Sequence, residues 1–87
     1  IMLAIAGNAR IFLHQAPIDL RKGFEGLCVC VESVFGQEPT SCAYFVFLNK
    51  RRDRMKVLYW DGDGLAIWYK RLQKGSFSTQ SSDKILL

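Results

Sequence analysis

Apolar and polar positions divide the chain into short, alternating stretches. Arg10-Ile11-Phe12-Leu13-His14 is an apolar run closed by Gln15-Ala16-Pro17. Proline interrupts a strand ladder, so the run predicts a first β-strand ending there. Phe24, Leu27, Cys28, Val31, Val34 and Phe35 then recur at the i, i+3, i+4, i+7 spacing of one helical face, with Glu25, Glu32 and Ser33 off it. Asp19 is placed to cap the start through a side-chain oxygen, and Gly36 suits the left-handed residue that ends helices. Together these signals predict a helix over residues 20–35. Gly23 and Gly26 weaken it by about 1 kcal/mol each relative to alanine. Either they let the helix sit close on a sheet, or Gly23 lies in a loose first turn.

After the loop Gln37-Glu38-Pro39-Thr40, residues Ala43 to Leu48 are apolar on both faces, the pattern of a central strand covered on both sides. Met55 to Trp60 has the aromatic and β-branched content of a strand, and with the polar stretch Asn49 to Arg54 before it predicts a hairpin. Asp61-Gly62-Asp63-Gly64 is turn chemistry, because Asp-Gly supplies the positive-φ residues of a two-residue hairpin, and Leu65 to Leu72 follows as a third consecutive strand. The expectation is a single small α+β domain of order β-α-β-β-β. One helix packs through Phe24, Leu27, Val31 and Val34 on a mostly antiparallel sheet whose strand order is left open. From Lys74 onward a serine-rich stretch, interrupted by Phe77, predicts poor order. The domain is therefore expected to span residues 1–77, with 78–87 a polar tail whose closing Ile85-Leu86-Leu87 looks like an element cut short.

Composition narrows the class. With 87 residues, 49% hydrophobic and 13% aromatic, the chain is of one-domain length and far too apolar for a disordered segment. Its apolar runs are each a handful of residues, short of the ~20 that span a bilayer, so no membrane association is expected. Ile1 to Ala6 lacks the basic leader of a signal peptide. Cys28, Cys30 and Cys42 form an odd set without a CxxC pair, which suits neither a disulfide framework nor a four-ligand zinc site. A reducing cytoplasm fits these features.

Charge changes the picture most. The chain carries a net +4, and Lys50, Arg51, Arg52, Arg54 and Lys56 with the single acid Asp53 sum to the same +4. These residues fall on the tip and outgoing strand of the predicted hairpin, where they can fan out toward one polyanion as two-stranded ribbons do. Arginine forks onto phosphate oxygens in bidentate fashion. Arg21 and Lys22 at the helix start, with Lys70, Arg71 and Lys74 expected near the other end of the sheet, would widen the footprint where the fold places them together. The competing reading is a solvated hairpin whose charges discourage edge aggregation. Tyr59, Trp60, Trp68 and Tyr69 are likewise either core or a base-stacking platform. Strand alternation puts Tyr59 and Trp60 on opposite faces, leaving one available to a protein partner.

Catalytic chemistry finds little support. A calcium loop beginning at Asp61 would need oxygen ligands where Leu65 and Leu72 stand. His14 is the only histidine, and no cysteine or carboxylate near it in sequence forms a nucleophile–base pair. Cys28 falls on the apolar helix face and Cys30 about 200° away from it, facing outward. No phosphate-binding glycine signature is present. No cofactor, metal, small-molecule ligand or catalytic residue is predicted.

Several segments taken together are more specific than any one alone. They are Pro17-Ile18-Asp19-Leu20-Arg21-Lys22-Gly23-Phe24-Glu25-Gly26-Leu27, Phe45-Val46-Phe47, Arg51-Arg52-Asp53-Arg54-Met55-Lys56-Val57-Leu58-Tyr59-Trp60-Asp61-Gly62 and Tyr69-Lys70-Arg71-Leu72. This combination resembles the TnpB-type accessory protein, the second open reading frame of insertion sequences of family 66, over roughly residues 10–77. The resemblance implies a bacterial protein that supports transposition beside a separate, larger transposase carrying the DNA-cutting acids. It implies no catalytic site. Where that family continues with a tryptophan–proline pair after Lys74-Gly75-Ser76-Phe77, Ser78 and Thr79 stand here, and the family's further C-terminal helical segment does not follow, so the chain is expected to be a partial member. The expected function is a non-catalytic accessory protein that binds DNA without sequence specificity, with the transposase of the same element as partner. The alternative is a module that docks on the transposase with no direct DNA contact.

Overall fold

The computed structural model describes residues 10–80 and 84–85. Strand β1 (Arg10–Leu13) leads through a long connection to helix α1 (Phe24–Cys30), which continues as a wider π-helical segment (Val31–Phe35). Strands β2 (Ala43–Leu48), β3 (Arg54–Trp60) and β4 (Leu65–Arg71) follow, and two short strands, β5 (Thr79–Gln80) and β6 (Lys84–Ile85), close the described chain. The main sheet has the order β1-β2-β3-β4. β1 pairs parallel with β2 across the helical crossover, and both later pairings are antiparallel. This is the expected α+β architecture. β5 and β6 form a separate antiparallel pair. The expectations for Ile1 to Ala6, for Asp83 and for the closing Leu86-Leu87 lie outside the described residues.

The doubly apolar β2 is central, as its sequence predicts. Ala43, Phe45 and Phe47 face the helix and form one core with Leu20, Leu27, Val31 and Leu58. Val46 and Leu48 face the other way and pack with Met55, Val57 and Phe77. Phe77, which interrupts the polar stretch in the sequence, is 4% exposed and covers this second face. The segment beside it is tied to the sheet by backbone bonds: Leu72 N–H donates to Asp53 O at 2.7 Å and Phe77 N–H to Arg52 O at 2.7 Å.

The helix departs from its predicted span. Asp19 does not cap it; its carboxylate accepts from the Arg21 backbone N–H at 2.9 Å and from the Arg21 guanidinium, which forms a local turn. The helix therefore starts after Gly23, in extended backbone with no side-chain cap. Gly23 thus lies outside the helix, and at Gly26 a Cβ would meet the Lys22 side chain at 3.1 Å. The packing face also shifts. Phe24 is 49% and Val34 57% exposed, while Leu27 and Val31 are fully buried and Phe35 joins the core. In the π segment each residue advances less far around the axis, so position 35 rather than 34 returns to the face of Val31. The Phe35 ring lies 5.5 to 5.8 Å from those of Phe12 and Phe45. Gly36 ends the segment in the left-handed conformation, φ +61°, as its type predicts. Cys30 is half-buried against the same core as Cys28 instead of facing outward.

Candidate functional site

The β2–β3 hairpin is closed by a short loop whose conformation is set by one side chain. Asn49 Oδ1 accepts from the backbone N–H groups of Asp53 (3.1 Å) and Arg54 (3.0 Å), while Asn49 Nδ2 donates to the Asp53 carboxylate at 2.6 Å. Asparagine is suited to this because its short amide reaches backbone groups a few residues on. The bond from Asn49 is the main reason the Asp53 carboxyl sits below the usual carboxylate range, with Arg54 and Arg51 adding to it. Arg52 takes the left-handed conformation, φ +58°, which is costly for a residue with a Cβ. Lys50, Arg51 and Arg52 are all exposed on this loop.

Register decides where the remaining cations go. On β3 and β4, Arg54 stands directly opposite Arg71, Met55 opposite Lys70, and Lys56 opposite Tyr69. Residues two apart share a face, so Arg54, Lys56 and Arg71 point to the helix side and Lys70 to the other. The Lys56 ammonium donates to the Lys22 carbonyl at 3.0 Å and lies 5.0 Å from the Tyr69 ring centroid. That contact brings the turn carrying Arg21 and Lys22 against the sheet. Arg21, Asn49, Arg54 and Tyr69 line one cleft there, together with Ile18, Asp19 and Leu20. His14, Pro17, Lys50 and Arg52 line a smaller one at the end of β1 and β2.

Every cation expected from the sequence, Arg21, Lys22, Lys50, Arg51, Arg52, Arg54, Lys56, Lys70 and Arg71, therefore lies at one end of the sheet. Lys74 joins them on the segment bonded to the hairpin loop. Ten cations against Asp19 and Asp53 leave +8 in this region. Asp19, its side chain about half exposed, is held by the Arg21 side chain at a pKa of about 2. The cations are divided between the two faces and the loop tip, with Lys70 set apart from the helix-side group. One member was not foreseen, Asn49, whose signal is an asparagine at the shoulder of a hairpin loop; of the four aromatics read as either core or stacking platform, Tyr69 is the most exposed, at 50%, with Trp60 at 37%.

Groups considered for catalysis have structural surroundings. His14 Nδ1–H donates to the Ala16 carbonyl at 2.7 Å, and the ring packs against Phe35 and Phe47. Burial raises the Cys28 thiol pKa, with Glu32 and Glu25 adding to the effect, which disfavours the nucleophilic thiolate. Asp61 N–H donates to Gly64 O and Gly62 supplies a positive φ of +81°, so this segment is a hairpin turn. No three His, Cys, Asp or Glu side chains group to hold a metal among the described residues, nor is any helix there long and apolar enough to cross a membrane.

The family model described as "IS66 Orf2 like protein" matches residues 9–86. The chain is similar to two uncharacterized proteins of Sinorhizobium fredii. It is 37% identical over 76 residues to y4jC, covering 87% of this chain and 65% of that protein. It is 32% identical over 82 residues to y4hO, covering 94% and 71%. The chain thus spans about two thirds of the length of these relatives. No solved structure gives a significant match.

Proposed function

Because the chain belongs to the IS66 Orf2-like family, we propose that it is a non-catalytic accessory protein of bacterial insertion-sequence transposition that binds DNA phosphates through the basic end of its sheet. The observation that carries this reading is the Arg54–Arg71 pair. Like charges directly opposite on neighbouring strands destabilise a sheet, so their placement beside Lys56, Lys22 and Arg21 calls for an anion. The exposed loop cations Lys50, Arg51 and Arg52 extend the same surface. Nothing in the arrangement offers a set of base-edge readers, and sequence-independent contact is the fitting mode. The transposase of the same element is the natural protein partner. Three free thiols, Cys28, Cys30 and Cys42, are consistent with work in a reducing bacterial cytoplasm.

A second reading has its own support. Phe24, Val29 and Val34 on the helical segment are 49%, 61% and 57% exposed, which suits docking on a protein. A titration against fluorescent duplex DNA at two salt concentrations separates the two. Each phosphate contact contributes about 0.9 to the salt slope, so roughly five contacts cost several hundredfold in affinity between 50 and 200 mM. The triple variant Arg51→Ala, Arg52→Ala, Arg54→Ala, checked for folding by circular dichroism, should lose this binding evenly across sequences. Absence of binding at low salt sinks the DNA reading and favours docking on the transposase.

A further inference from the structure

We propose that the cleft between the 18–21 turn and the β3–β4 edge seats one unpaired nucleotide, so that the protein prefers single-stranded DNA to duplex. This rests on the DNA-binding reading above and names its substrate class. The cleft is a half-open depression of about 290 Å³, just below the usual range of ligand-binding clefts and on the scale of one nucleotide rather than a segment of duplex. One wall is the Tyr69 ring, half exposed on an edge strand. Lys56 sits over that ring and is itself anchored on the Lys22 carbonyl, so the ring is steadied from the protein side. Arg21 and Arg54 also line the cleft, and Arg71 stands beside Arg54 across the strands. Asp19 also lines the cleft, but its carboxylate is already forked onto the Arg21 guanidinium at 2.7 to 3.0 Å.

An exposed aromatic ring among arginines and lysines presents a π-face to a base and cations to its phosphates. In a duplex the base faces are stacked on their neighbours and beyond reach of a ring that lines so small a cleft. A groove reader would instead need donors and acceptors aimed at base edges. Tyr69 therefore contributes to single-strand binding and not to duplex binding, whereas Arg54 and Arg71 serve phosphates in either.

Fluorescence anisotropy with a labelled oligothymidylate and a duplex of equal length tests this at low salt, using the whole chain. The wild-type protein should bind the single strand more tightly. Tyr69→Leu keeps apolar bulk on the edge strand and removes the ring; it should lose roughly tenfold on the single strand and little on the duplex. Tyr69→Phe should retain the preference. Salt-sensitive duplex binding, with single-strand affinity indifferent to Tyr69→Leu in a variant that circular dichroism shows to be folded, overturns the proposal and leaves the phosphate-binding reading standing. Failure of the wild-type protein to bind either DNA overturns both.

Discussion

Asn49→Ala isolates the device that shapes the basic loop without touching its charge. The side chain satisfies two backbone donors, Asp53 N–H and Arg54 N–H, and holds the Asp53 carboxylate as well. Each neutral bond contributes about 1 kcal/mol net, and Asn49 is half-buried, so water replaces its oxygen poorly. Counting only the two backbone bonds, the variant should lose about 2 kcal/mol. The part-buried contact to the Asp53 carboxylate is left out of this figure and enters instead through that carboxyl's titration. For a domain of this size, 2 kcal/mol lowers the melting temperature by roughly 8–15 °C. Urea melts followed by circular dichroism should show a lower midpoint with unchanged slope, since the surface exposed on unfolding is the same. The Asp53 carboxyl, released from its main stabilising partner, should titrate closer to the ordinary carboxylate value. Its depressed folded-state pKa contributes stability that is present above the unfolded value and lost as pH falls through the folded one. The variant should therefore lose less stability on acidification than the wild type. A midpoint shift corresponding to less than about 0.5 kcal/mol would refute the assignment of the loop's conformation to Asn49.

Phe77→Ala removes a side chain that is 4% exposed and packs on Val46, Leu48, Met55 and Val57, and should cost about 3–5 kcal/mol, read as a lowered urea midpoint. A near-neutral result would mean the second face of the sheet does not depend on the 72–77 segment. Asp19 should titrate near pH 2, below its ordinary 3.8, because Arg21 binds its charged form. The 19–21 turn therefore keeps its ion pair above pH 4 and loses it as pH falls through about 2, while its contribution to stability declines between about 3.8 and 2. A carboxyl resonance of Asp19 moving with a midpoint near 3.8 by NMR would contradict the ion pair.

Much of the fold was legible because burial leaves a period in the sequence. β2 reads as central from apolar residues on both faces, and it is flanked on both sides in the sheet. The helix boundaries were less legible for local reasons. Asp19 had a competing partner two residues away, and a π segment shifts the phase of a face that regular helical spacing assigns to Val34. The candidate site was half legible. Residue types identified the cations, but which of them share a face depends on the β3–β4 register, and that is set by a turn closing Trp60 on Leu65. A one-residue slip in that turn would move Arg71 away from Arg54 and bring Lys70 to the helix side.

Three local costs coincide at the same end of the molecule. Arg54 faces Arg71, Arg52 holds a positive φ that glycine or asparagine would adopt more easily, and ten cations are gathered against two acids. A hairpin that needed only solubility could meet it with scattered lysines and an Asn-Gly loop, at none of these costs. Strain and like-charge crowding in one place are what a fold tolerates where a ligand offsets them. The opposite turn of the same hairpin pair carries Asp61 and Asp63, so charge is polarised along β3 and β4. A polyanion approaching the molecule is drawn to the Arg54–Arg71 end and repelled from the other. Under the DNA-binding proposal, that polarity would orient the protein on the polyanion before any single contact forms.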